Sequence, residues 1–259
     1  MNQGLRELLE TVFKRAEFLE ALDETPAAKR ELVDRLNVSR STVNRGIWDL
    51  EQFGLVGYED SDYRLTVAGR ILYERYRRYE ASVDAVIGSV DLLELLPLSA
   101  PLGIEFLEDA DIYVAADPAP SVPVMVFSRI ISGSAGVRVL SRSHAAPKTV
   151  DALREAIDGR GAAEIVFRDG VYDHVEDAYN WFADRVTSGD VRAYRIDDLP
   201  YGLIVADHGE QTYGSLVVYD GNSIAGVMVN DTDAAIEWAT DVFERYRAAA
   251  EPVAKQEQE

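Results

Sequence analysis

The chain has 259 residues, 47% of them apolar, enough to build one large core or two modest ones. It carries 46 acidic against 26 basic residues, a net charge of −20, and no cysteine. These numbers exclude a disulfide framework, thiolate chemistry and a uniformly basic nucleic-acid-binding surface. No apolar run reaches the roughly 18 residues needed to cross a bilayer, and the amphipathic start MNQGLRELLETVFKRAEFLEAL is unlike a signal peptide. We therefore expect a cytoplasmic protein with no membrane partner. Arginine outnumbers lysine 22 to 4. A large acidic excess with scarce lysine suits a surface that must stay hydrated in concentrated salt, and a halophilic source is expected. An acidic disordered protein would lack the high, periodic apolar content seen here.

The charge is unevenly distributed. Residues 1–80 hold 13 basic against 15 acidic side chains, whereas residues 81–259 hold 13 against 31. The first third has been spared the acid load, as a DNA-facing domain joined to a solvated partner would require.

Within residues 1–80, Leu5, Leu8, Leu9, Val12, Phe13, Ala16 and Leu19 recur at helical spacing and predict one first helix. Pro26 suits the first turn of a second helix, AAKRELVDRL, ending at Asn37. Ser39 is placed to cap a third helix, RSTVNRGIWDLEQF, which stops at Gly54. Val43, Ile47 and Leu50 face its core side, leaving Arg40, Ser41, Asn44 and Arg45 on the polar face with Thr42 at its shoulder. Arginine pairs bidentately with guanine, asparagine with adenine, and hydroxyls hold phosphate, so this face suits major-groove reading. Trp48 is open to packing rather than DNA reading. The next stretch, LVGYEDSDYRLT, alternates and turns back as a two-stranded wing whose tip, Asp60, Ser61 and Asp62, is acidic and whose one cation is Arg64. The pattern predicts a winged helix-turn-helix DNA-binding domain over residues 1–80, with Ser39, Arg40, Ser41, Thr42, Asn44, Arg45 and Arg64 as its DNA contacts.

A long helix is predicted over residues 66–96. Its apolar positions Leu65, Leu72, Tyr79, Val86 and Leu93 lie seven apart, interleaved with Tyr76, Val83 and Val90. That seam fits a symmetric homodimer presenting two recognition helices to a palindromic double-stranded site, the alternative being a helix packed along its own second domain. Pro97 and Pro101 mark the domain boundary.

Residues 97–252 read as an α/β effector domain. DIYVAA, VRVLS and AEIVF alternate with helices SVPVMVFSRII, PKTVDALREAI and VYDHVEDAYNWFADRVT, which predicts parallel strands. VRAYRI, YGLIVAD, TYGSLVVYD and SIAGVMVN follow as an antiparallel run with a hairpin at Asp220-Gly221. The fold class expected is thus α+β and α/β: a winged helix, a long linker helix and a mixed-sheet effector domain, with residues 253–259 as a disordered tail.

SRSTVNRGIWDLEQFGLV with YRLTVAGR resembles the recognition helix and wing of archaeal winged-helix regulators. LLELLPLSAPLGIEF and the stretch from YGLIVAD to VFERYRAAAEPV resemble the effector domain of haloarchaeal regulators in the methanogenesis regulatory protein family. Such domains are similar to the phospholipase D-like fold. The resemblance implies that Ser41, Thr42, Asn44 and Arg45 contact DNA and that the second domain answers a ligand or signal.

Chemistry is sparse elsewhere. A phospholipase D-like site needs His, one residue, Lys, then four residues and Asp, in two copies, whereas His144, Lys148 and Asp151 have the wrong spacing and no second set. No catalytic residue, cofactor or metal is expected. Asp173, His174, Glu176 and Asp177 read as a solvated helix face, and Asp207 with His208 as a turn. Glycine-rich phosphate loops, nucleophile elbows and zinc motifs are absent from the sequence. A small-molecule effector would sit at the carboxyl ends of the parallel strands, where Asp117, Arg142 and Arg168 are the candidate contacts. The leading reading is a sequence-specific transcription regulator. The alternatives are a winged-helix adaptor that docks on transcription machinery and a phosphodiesterase.

Overall fold

The computed structural model describes residues 3–143, 146–159 and 161–253. The chain forms two compact units, Met1–Val83 and Asp84–Glu259. Their boundary falls inside the long helix rather than at Pro97 and Pro101.

The first unit opens with helices α1 (Gln3–Lys14) and α2 (Ala16–Glu24). The single first helix expected from periodicity is broken at Arg15, where ψ rises to 18°. The break lets Arg15 turn inward: its Nε and Nη2 donate to Asp49 Oδ2 at 2.9 and 2.6 Å, and its side chain is only 8% exposed. Helix α3 (Lys29–Leu36) begins later than the Pro26 signal suggests. Ala27 instead exchanges backbone hydrogen bonds with Tyr63 (3.0 and 2.9 Å), adding an edge bridge to the wing. Asn37 ends α3 in the left-handed region at φ 50°.

Helix α4 (Arg40–Gln52) is capped by Ser39, whose Oγ accepts the Thr42 backbone N–H at 3.1 Å. The wing consists of β1 (Val56–Glu59) and β2 (Asp62–Leu65), paired antiparallel in the register Glu59 to Asp62. Its two-residue turn, Asp60 and Ser61, has positive φ at both positions (54° and 75°), matching the twist of the strands. Leu19, Leu32, Ile47, Leu50 and Leu55 form the centre of this unit's core.

Helix α5 (Val67–Leu93) follows. Thr66 caps it, accepting the Gly69 N–H at 3.0 Å while donating to the Gly54 carbonyl at 2.7 Å. A Cβ at Gly69 would lie 2.1 Å from the Leu55 carbonyl oxygen, so glycine is required for helix and wing base to meet. The expected apolar seam is shorter than the sequence suggests. Leu65 belongs to β2, Leu72 and Tyr76 pack on the first unit's core, and Leu93 packs in the second unit. Tyr79, Val83, Val86 and Val90 are the seam positions left exposed.

The second unit contains α6 (Ile104–Leu107), β3 (Asp111–Val114), α7 (Val122–Ile131), β4 (Gly136–Ser141), α8 (Pro147–Asp158), β5 (Ala162–Arg168), α9 (Val171–Ala178), α10 (Asn180–Ser188), β6 (Val191–Ile196), β7 (Gly202–Asp207), β8 (Thr212–Asp220), β9 (Ser223–Asn230), α11 (Asp233–Ala249) and β10 (Glu251–Pro252). Its eight-stranded sheet has the order β10-β6-β5-β4-β7-β8-β9-β3. Strands β4, β5 and β6 pair in parallel and every other pairing is antiparallel. Two expectations change here. VRAYRI (β6) joins the parallel half instead of starting the antiparallel run, and DIYV (β3) lies at the far edge against β9. Local alternation predicts strands but not their neighbours, because pairing order is set by which faces the crossover helices can cover. The helix expected from VYDHVEDAYNWFADRVT likewise breaks at Tyr179 into α9 and α10, which lets both Val175 and Phe182 reach the core.

Alternating strand residues feed two cores. Ile165, Phe167, Ile204 and Val217 pack with α7, α8, α9 and α10; Val166, Leu203, Leu216 and Met228 pack with α6 and α11. Buried Asn230 is fully satisfied, donating to the Phe106 and Glu108 carbonyls (3.1 and 2.6 Å) and accepting the Thr232 N–H (2.9 Å). Tyr201, also buried, donates to the Pro101 carbonyl.

Breaking the Arg15–Asp49 pair leaves a cation stranded in the first core. Asp49→Ala is expected to lower that unit's stability by about 3 kcal/mol, and Gly69→Ala by at least about 2 kcal/mol through overpacking. Hydrogen exchange on first-unit amides measures both, and protection equal to the parent protein would refute them.

Candidate nucleic-acid interface and ligand cavity

The amino end of α4 is a cluster of hydroxyls. Ser39 Oγ lies 2.8 Å from Ser41 Oγ and 2.9 Å from Thr42 Oγ1, so the free N–H groups of the first turn sit among donors. That end also carries the positive pole of the helix, and together they favour an anionic oxygen. One turn on, Asn44 and Arg45 are exposed while Val43, Gly46 and Ile47 are buried. Gly46 is required on the inner side, since a Cβ there would meet the Phe18 ring at 2.7 Å. The helix can therefore lie close against α2 while its outer face stays free.

Ion pairing separates the cations of this unit. Arg15 is spent on Asp49, and Arg35 donates to the Ala21 and Thr25 carbonyls at 3.3 and 3.2 Å, closing the end of α2. Arg64 Nη1 pairs with Glu59 at 2.7 Å and Nη2 with Asp60 at 3.9 Å, so the wing's cation is neutralised by its own strand and turn. Arg40 and Arg45 are exposed and carry no ion pair or hydrogen bond among the described residues. Ser39, Arg40, Ser41, Thr42, Asn44 and Arg45 thus share one helix end, whereas Arg64 sits in an acidic wing.

Trp48 is not packed: it is 59% exposed, three residues after Arg45 and four after Asn44, on the same outer face. The spacing contains that information, because Ile47 and Leu50 turn inward and position 48 then turns outward. Tyr58, on β1, is exposed as well.

In the second unit, strands β3, β4, β5, β6 and β8 run in one direction, so their carboxyl ends share one edge of the sheet. The three residues expected there do not converge. Asp117 follows β3, separated from β4 by β7, β8 and β9, and is exposed. Arg168 ends β5 at a position that alternates with Phe167 and so belongs to the α11 face. Arg142 follows β4, and its guanidinium carbon lies 5.4 Å from the Tyr219 ring centroid. Beside it, on the face covered by α7–α10, is a largely apolar cavity of about 80 Å³.

Other candidates have local partners. Asp173 pairs with Arg195 at 2.5 Å, Glu176 accepts from the Tyr172 hydroxyl at 3.0 Å, and no group among the described residues could hold a metal ion. His208 Nε2 is 2.7 Å from the Ile130 carbonyl oxygen, and Asp207 accepts the Gly209 N–H at 2.7 Å. Lys148 and Asp151 are exposed on α8, and His144 lies outside the described residues. No helix among the described residues is long and apolar enough to cross a membrane.

A winged helix joined in one chain to a mixed α/β sheet domain is the architecture of a two-domain transcription regulator. Residues 120–249 match the family described as "Methanogenesis regulatory protein FilR1, middle domain", and the chain belongs to that family. Residues 5–86 match the HVO_A0261 N-terminal domain. Among solved structures the chain is similar to TrmBL2, described as an archaeal chromatin protein, at 13% identity over 92% of both chains and a TM-score of 0.46. It is also similar to Nuc, a phospholipase D family member from Salmonella typhimurium, at 16% identity over 56% of this chain and 99% of that one, with a TM-score of 0.42. NucT from Helicobacter pylori matches at 9% identity over 56% and 99%, with a TM-score of 0.43. No curated protein matches the sequence.

The capping hydroxyl has a structural role separable from recognition. Ser39→Ala is expected to destabilise α4 by about 1 kcal/mol, read as faster amide exchange at Thr42 and Val43; unchanged exchange there would contradict the cap.

Proposed function

We propose that the chain is a homodimeric, sequence-specific transcription regulator of a halophile, acting in the cytoplasm on double-stranded DNA, and that its second unit is a non-enzymatic, signal-responsive module. The observation that carries the DNA reading is the free face of α4: Arg40, Asn44 and Arg45 are unengaged, whereas neighbouring cations are bound to carboxylates or carbonyls. The dimer reading is supported by the exposed seam Tyr79, Val83, Val86 and Val90, with Leu5, Leu9 and Phe13 of α1 also exposed. Phe13 contacts Tyr76 and Tyr79 edge-on at 5.1 and 5.5 Å, so α1 and this first-unit stretch of α5 form one apolar surface.

Each bidentate base contact discriminates by about 1–3 kcal/mol. Arg45→Ala and Asn44→Ala are therefore expected to weaken operator binding roughly tenfold or more each in fluorescence anisotropy, with little effect on random DNA, while Arg64→Gln changes either far less. Operator affinity that survives both α4 substitutions would overturn the reading. Val83→Glu with Val86→Glu is expected to give monomers by light scattering and to weaken binding to a two-half-site operator more than to a single half-site. With few cations available, the logarithmic salt slope should be shallower than about −5, the value for six phosphates; a steeper slope would contradict the sparse-contact interface.

A further inference from the structure

The cavity in the second unit is apolar along its floor and walls, through residues such as Ile165, Leu153 and Trp181. Its polar groups lie towards the carboxyl-terminal edge of the sheet: Ser141 and Ser143 where β4 ends, and Tyr219 near the end of β8. Gly202 keeps that end open, since a Cβ there would stand 3.1 Å from Tyr219 Oη and 3.2 Å from Val217 Cβ.

Arg142, between Ser141 and Ser143, does not itself line the cavity, but its guanidinium rests over the ring of Tyr219, which does. Its Nε is buried with no hydrogen-bond partner, and no carboxylate among the described residues pairs with it. Burial pushes the Tyr219 phenol up to about 12, so its hydroxyl stays a neutral donor near neutral pH. A buried guanidinium N–H left unsatisfied is unfavourable unless something completes it. Among the described residues no side chain completes it, and an external anion would.

We propose that this cavity binds a small aliphatic carboxylate, the alkyl chain filling the apolar space and the carboxylate meeting the Arg142 guanidinium and the Tyr219 hydroxyl. A planar carboxylate matches the guanidinium fork. The volume of about 80 Å³ is roughly half that of a cavity able to take benzene, which limits the chain to about three or four carbons. A phosphate would bring a second charge with one arginine to answer it, and a neutral ligand would leave the guanidinium without a counter-charge. The proposal rests on reading the second unit as a signal-responsive module and names the chemistry of that signal.

Isothermal titration of the full chain in molar potassium chloride, with sodium butyrate, 1-butanol and inorganic phosphate as probes, tests it. Butyrate is expected to bind at least tenfold tighter than 1-butanol, phosphate not measurably, and Trp181 emission to shift with butyrate. Arg142→Gln should abolish the advantage of butyrate over 1-butanol, and Tyr219→Phe, which keeps the ring under Arg142, should reduce it several-fold. Butyrate binding no tighter than 1-butanol, or unchanged by Arg142→Gln in a protein that melts as the parent does, would overturn the proposal. Operator affinity measured with and without butyrate separates the two readings. If butyrate binds as described and operator affinity does not move, the site stands and the signalling role fails. If butyrate does not bind, the site fails whatever the DNA measurement shows.

Discussion

Helix α4 is held from behind by a buried cation. Arg15 leaves the helical path at the join of α1 and α2, and both of its inner nitrogens meet one oxygen of Asp49 on α4. With Gly46 letting the Phe18 ring approach, this contact fixes the orientation of α4 around its own axis. Which side chains face outward follows from that rotation: with Val43, Ile47 and Leu50 buried, Ser41, Asn44, Arg45 and Trp48 face out. The pair also serves electrostatic sorting. With Arg15 consumed internally and Arg64 on the wing, Arg40 and Arg45 are the cations left unpaired on α4 itself.

Much of the first unit was legible in the sequence because its signals are local. A capping serine, a left-handed asparagine, a glycine after α4 and alternation through the wing each act within a few residues, and each appears where expected. What escaped depends on distant partners. Nothing near Arg15 announces Asp49, 34 residues away, and nothing near Pro26 announces that Ala27 will bridge to Tyr63. Trp48 was left open by its residue type, since large aromatics are usually buried, whereas the helix spacing alone already turns it outward.

The second unit reverses the balance. Its strands and most of its helices were legible, but the order of strands was not, since order records which helices must cover which face. The placement of β6 beside β5 and of β3 at the opposite edge scattered the three residues expected to share a site, leaving Arg142 beside the cavity and sending Arg168 to the other face. The cavity was legible only as a location, the carboxyl ends of the parallel strands. Its size and apolar character come from side chains contributed by strands, α7, α8, α9 and α10 together.

The small number of free cations on α4 also bears on how a target is found. Affinity for arbitrary DNA comes almost entirely from phosphate neutralisation, and it is this affinity that lets a protein slide along the duplex. If the proposed α4 contacts are the DNA contacts, a regulator offering hydroxyls, an amide and two unengaged arginines would have little hold on random sequence. On the proposed reading its search would proceed by repeated three-dimensional encounters, and residence at a site would be decided by the bases found there.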